Sequence, residues 1–153
     1  MIALIQRVSD ARVLVDGAVV GEIAGGLVVL LAVEPGDTAA QSDRLVERVV
    51  GYRVFPDEDG RMNLSLRDTG GGLLLVPQFT LAADTSKGMR PSFTTAATPE
   101  QGRALFDHAV DRARDLLGNR VAIGVFGAHM KLSLTNDGPV TFWLRAGTAD
   151  ARG

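Results

Sequence analysis

Hydrolysis by a side-chain nucleophile needs a base beside it, and this sequence offers few. Its only histidines are His108 and His129, and it has no cysteine. His108 follows Leu105 by three residues on the polar flank of a helical stretch and reads as a surface histidine. His129, in GAHM, reads as a loop or edge residue. Neither belongs to an HExxH pattern. No two carboxylates form a close pair whose repulsion would tune one as an acid. Gly70-Gly71-Gly72 precedes a strand, not a helix, so it is not a phosphate-binding loop.

Three stretches retain chemical interest. In VPQFTL, 76–81, Pro77 interrupts an apolar run, as at a strand end, bulge or edge. Behind it the amides of Gln78, Phe79 and Thr80 can point into a cleft, where freed amides stabilise an oxyanion without a base. An edge strand entering a loop accounts for the same residues. The loop DTSKGMRPSF, 84–93, offers Lys87, Gly88 and Arg90 to a phosphate and Phe93 to a base. It reads equally as a solvated loop anchored by Phe93. NDGPVT, 136–141, lies between two alternating apolar runs and reads first as a turn between strands. Gly138-Pro139 is an odd pair before a strand, since proline donates nothing to a ladder and glycine costs entropy unless its freedom is used.

These stretches need a scaffold, and the periodicities supply one. Ile2–Val8 alternates as a strand, and Arg12–Val15, Asp16-Gly17 and Ala18–Ile23 read as a hairpin. LVVLLAV, 27–33, suits a strand buried on both faces. Thr38 to Gln41 has capping-box form, predicting a helix from about 39 to 52. Residues 56–72 read as a polar, glycine-rich connection and Leu73–Phe79 as a strand. Thr98 caps a second helix with Pro99 at its first position, and Gly118 ends it. Strands are predicted at Arg120–Phe126, Met130–Thr135 and Val140–Arg145. The expected fold is α+β, a mostly antiparallel β-sheet or barrel with two main helices, one domain over 1–146 and a frayed tail over 147–153.

Composition narrows the class further. With 153 residues, 46% hydrophobic and 22% charged, the chain is an ordinary globular domain. The lack of cysteine excludes disulfides and Cys-ligated zinc, and fits a reducing cytoplasm. No apolar run approaches the roughly 18 residues of a membrane helix, so no membrane partner is expected. The basic start of a signal peptide is missing. A net charge of −2 argues for local grip on any nucleic acid and against a wrapped one; DNA is not expected. No metal or other cofactor is called for.

Taken together, IQRV (5–8), YRVF (52–55), MNLSL (62–66), QFTLAADT (78–85), RPSF (90–93) and NDGPVT (136–141) closely resemble the D-aminoacyl-tRNA deacylases, the D-tyrosyl-tRNA deacylase family, nearly end to end. The resemblance implies a homodimer that hydrolyses the ester of D-aminoacyl-tRNA, with the active site at the subunit interface. Gln78, Phe79 and Thr80 would form one wall, holding the 3′ end of the aminoacyl-tRNA. Gly138 and Pro139 of the partner, joined by a cis bond in that family, would form the other. Their carbonyl oxygens would take the substrate's α-ammonium and occupy the space an L side chain needs. Glycyl-tRNA, as mischarged on the alanine tRNA, would then also be accepted. The 2′-hydroxyl of the terminal adenosine would assist the water, with Thr80 positioning it. Arg7 would brace the Gly-Pro loop. Pro77, Lys87, Arg90, Phe93 and Met130 are supporting or RNA-contact candidates. Pro77 stands where the family usually has serine. A related group that edits L-alanine carries proline there, but it has a small residue in place of the following Phe, whereas Phe79 and NDGPVT are kept here. Alternatives are a relaxed deacylase that also edits small L-aminoacyl-tRNA, a non-catalytic tRNA 3′-end binding protein, and a dimeric structural domain.

Overall fold

The computed structural model describes residues 1–147. The expected frayed tail therefore lies, beyond Gly147, outside the described residues. Asp16 and Gly17 both take positive φ, 49° and 79°, and turn strand β1 (Ile2–Val15) tightly into β2 (Ala18–Ile23). That backbone matches the twist of the flanking strands. β1 is a single 14-residue strand where the sequence predicts two. The reason is a bulge: Val8 pairs with Asn136 and Asp10 with Thr135, so Ser9 stands unpaired. The extra residue shifts the alternation, so that Val8, Ala11 and Val13 all face one apolar cluster.

β3 (Gly26–Ala32) pairs antiparallel with the first half of β1, then runs parallel to β6 (Gly72–Pro77), which runs parallel to β7 (Val121–Ile123). The sheet is therefore mixed rather than mostly antiparallel. Its parallel half follows from the crossovers, since helices intervene between β3 and β6 and between β6 and β7. β2 curls toward β7 so closely that a Cβ on Gly21 would lie 2.6 Å from the Ile123 carbonyl oxygen. The sheet is thus nearly closed, in a single domain.

β3 and β6 are buried on both faces. Leu27, Val29, Leu31, Leu73 and Leu75 point toward the helices, whereas Val28, Leu74 and Val76 point into the curl. Helix α1 (Ala39–Gly51) begins at Thr38, whose amide donates to the Gln41 carboxamide at 2.8 Å. The connection 56–72 holds more structure than expected. β4 (Phe55–Pro56) and β5 (Met62–Leu64) pair, and a one-turn helix α2 (Leu66–Thr69) is capped by Ser65 and Asp68. Asp57 organises that hairpin by accepting from the amides of Asp59 and Arg61 and from Asn63. Helix α3 (Pro99–Leu117) packs against α1, with Thr98 accepting from the Gln101 amide at 3.2 Å.

The strands expected at Met130–Thr135 and Val140–Arg145 are one strand, β8 (Lys131–Arg145), paired along β1. NDGPVT is therefore no turn. Gln6 pairs with Thr141 and Val8 with Asn136, so Asp137, Gly138, Pro139 and Val140 stand together opposite Arg7. The ladder opens there, where proline's missing donor costs nothing. The Gly138-Pro139 peptide bond is cis. β7 is also shorter than expected, because Arg120 ends a short 3-10 turn and the chain leaves the sheet after Ile123.

Candidate active site

Pro77 ends β6, and the next residues turn out of the sheet. The Gln78 amide makes the last ladder bond, to Leu31 O at 2.8 Å. Phe79–Ala82 then forms a 3-10 turn, with Leu81 N–H bonded to Gln78 O. A turn of this kind leaves its first amides without partners inside it. Those of Phe79 and Thr80 bond to nothing else among the described residues. The Gln78 side-chain amide donates to the Thr80 hydroxyl and fixes its position. Two free donors and one oriented hydroxyl thus lie side by side at the end of a buried strand.

Beside them opens a cavity of about 260 Å³ with walls from Leu31, Pro77, Phe79, Pro99, Phe106 and Phe126. Its lining is almost wholly apolar, and its size suits one flat heterocycle rather than a long ligand. Phe79 is 60% exposed and packs on Phe93 with ring centroids 5.2 Å apart. Phe93 is therefore committed to a protein ring and anchors the 84–93 loop to the site. Asp84 and Ser92 pair at the loop's base. The hydroxyl and amide of Ser86 hold the Asp84 carboxyl below its usual range. Lys87, Met89 and Arg90 stand exposed at its tip, outside every ion pair among the described residues.

Arg7 lies against the β8 bulge. Its Nε donates to the Asp137 carbonyl at 2.9 Å and its Nη1 to the Val54 carbonyl at 2.7 Å. Gly138 has φ +133°, and a Cβ there would meet Val140 Cγ2 at 2.8 Å and Arg7 Nη2 at 3.3 Å. Met130 is half-buried, its sulfur accepting from the Val125 amide at 3.4 Å and packing behind Gly124, next to Pro77. His108 pairs with Asp43 between the two long helices at 2.8 Å. No His, Lys, Asp or Glu side chain among the described residues bonds to the Thr80 hydroxyl. Among the described residues, no three His, Asp or Glu side chains gather as a metal site.

The fold brings Gln78, Phe79, Thr80 and Phe93 together, but not with Gly138-Pro139. The dipeptide lies at the level of Arg7, Leu27 and Leu73, whereas Gln78 follows Leu31 and Pro77. That is about 13 Å along the strands and about 14 Å across them, from strand rise and spacing. Within one chain the two motifs stand on the order of 20 Å apart.

The family model for D-Tyr-tRNA(Tyr) deacylase matches residues 4–145. The chain belongs to this family. It is 67% identical over 144 residues to the D-aminoacyl-tRNA deacylase of Thioalkalivibrio sulfidiphilus, covering 94% of this chain and 96% of that one. It is 64% identical to the protein of the same name from Methylococcus capsulatus, over 95% of this chain and 94% of that one. Among solved structures it is similar to a c-Myc DNA unwinding element binding protein, with TM-score 0.92 and 34% identity, covering 97% of this chain and 100% of that one. The fold is shared at TM-score 0.82 and 20% identity with a probable eukaryotic D-amino acid tRNA deacylase, over 94% and 97% of the two chains.

Of the cavity walls, the sequence singles out Pro77 and Phe79 but not Phe106 or Phe126. Phe126, read as a strand residue, sits in the turn after β7, and Phe106 looked like any core position of α3. The glycines flanking Phe126, in GVFG, were the available signal, since a strand interior rarely carries two.

Proposed function

We propose that the site at Gln78, Phe79 and Thr80 hydrolyses the ester linking a D-amino acid to the 3′-terminal adenosine of tRNA. Family membership carries the coarse activity: the chain is an enzyme, a D-aminoacyl-tRNA deacylase. The observation that carries the mechanism is the pair of unpartnered amides at Phe79 and Thr80 beside an apolar cavity, with no base at hand. The cavity takes the adenine. The ester carbonyl lies against the two amides, which stabilise the oxyanion as it forms. The Thr80 hydroxyl, held by Gln78, places the attacking water, and the ribose 2′-hydroxyl assists it.

Chiral selection belongs to a second copy of the chain. Since Gly138-Pro139 lies on the order of 20 Å from Gln78 in one chain, a cleft using both needs two. β8 pairs only with β1 among the described residues and carries exposed Phe142 and Trp143, which suits a surface that another copy covers. The partner's Gly138-Pro139 then blocks the space of an L side chain, while a D side chain points outward. Glycyl esters pass the same filter.

The test is deacylation of D-tyrosyl-tRNA and L-tyrosyl-tRNA, side by side, with enzyme well below substrate. Loss of the D ester alone supports the reading. Loss of both means a relaxed cleft, and loss of neither leaves a protein that only binds. Sedimentation of the intact protein gives twice the chain mass if the cleft is shared, and a monomer active at the same rate excludes it.

A further inference from the structure

We infer that Arg103 is a substrate-binding residue, its guanidinium held over Phe126 at the rim of the apolar cavity to take a phosphate of the tRNA's 3′-terminal nucleotides. This rests on the reading of the cavity as the adenine site. Arg103 is exposed on the first turns of α3, with its Cζ 4.8 Å from the centre of the Phe126 ring. Helical spacing puts Glu100 and Asp107 within its reach. It bridges to neither, and no ion pair among the described residues includes it. The cation has taken an aromatic face over two available carboxylates. Stacking of this kind leaves the outward N–H groups of a guanidinium open to an anion.

The location then matters. Gly102 lines the cavity, and Phe126 packs so closely on α3 that a Cβ at Gly102 would come within 3.3 Å of its ring. Arg103 is thus fixed beside the cavity wall through the ring it stacks on. A nucleotide whose base fills the cavity and whose ester lies at Phe79 and Thr80 must lead its 5′-phosphate out over the rim. Lys87 and Arg90 belong to the loop that Phe93 anchors on Phe79. Arg103 stands on α3 and so supplies charge from a separate wall.

The experiment compares Arg103→Met, which keeps an unbranched apolar stem over Phe126, with Arg103→Lys and the native protein. Each is assayed on D-tyrosyl-tRNA and on 3′-O-D-tyrosyl-adenosine, which has no phosphate. Arg103→Met is expected to lower kcat/KM for the tRNA ester, through KM, by about thirtyfold more than for the adenosine ester, the size of one charged hydrogen bond. The slope of log kcat/KM against log salt should become shallower by about 0.7, one phosphate contact on a single strand. Arg103→Lys should keep the native slope. Equal losses on both substrates with an unchanged slope would mean that Arg103 only supports Phe126, and no loss on either would overturn the proposal outright. Failure of the native protein on both esters would instead remove the deacylase reading, so the two failures are distinct.

Discussion

Replacing Arg7 by methionine tests the link between the β8 bulge and the site most directly. The change removes the bonds to Asp137 O and Val54 O, and with them a long 3.7 Å ion pair to Asp137. Asp137 is exposed, so its carbonyl is rehydrated and that bond contributes little. Val54 is 1% exposed, and its carbonyl loses a charged donor that water replaces poorly. One charged hydrogen bond of this kind contributes about 2 kcal/mol. For a chain of this length that lowers Tm by about 4–8 °C. Among the described residues, the bulge also loses the only side-chain donor that pins Asp137, next to Gly138. A displacement of about 1 Å in a positioning element costs on the order of a hundredfold in rate. Thermal melts and kcat/KM on D-tyrosyl-tRNA, measured on the same preparation, check both parts. An Arg7→Met protein with a lowered Tm but native kcat/KM would refute the claim that the bulge forms part of the active cleft. An unchanged Tm would refute the reasoning about Val54.

Other expectations follow from the same geometry. Gly138→Ala, forced into positive φ with its Cβ 2.8 Å from Val140, should lower the rate on every ester, D-aminoacyl and glycyl alike; native activity would contradict the shared cleft. Thr80→Ala should reduce kcat by about tenfold, the worth of one hydrogen bond, whereas a nucleophile's loss would abolish turnover. Acid stability should depend on Glu34. Burial raises its pKa, but the hydrogen bonds from Arg145 and the Met1 ammonium outweigh that and hold it below 4.5. Its stabilising contribution is therefore complete above the unfolded value and is lost as pH falls through the lowered one. Glu34→Gln should flatten the fall in Tm below pH 4.5, and an unchanged acid limb would exclude the carboxylate as a cause.

What the sequence by itself determined was what its neighbours in the chain enforce. Asp16-Gly17 makes a tight turn whatever surrounds it, because both positive φ values are cheap there. Thr38 with Gln41, and Thr98 with Pro99, start helices because the unpaired first amides need local acceptors. The unbroken apolar run LVVLLAV required burial on both faces, and Pro77 marked a strand end, bulge or edge without saying which. The motifs 78–85 and 136–141 were enough to expect the family.

The tertiary structure alone decided how those pieces meet. Residues 131–145 form one strand because β1 offers a continuous edge, and NDGP, which forms turns in isolation, is accommodated as a bulge opposite Arg7. The parallel pairing of β3, β6 and β7 follows from helices that cross between them, which no local pattern states. The cavity is made by Phe79, Phe106 and Phe126, three rings distant in sequence that converge only when α3 packs on the sheet. Register determines the remaining point. It sets Gly138-Pro139 and Gln78 at opposite ends of the sheet, because strand rise and spacing are fixed and no side chain spans the gap between them.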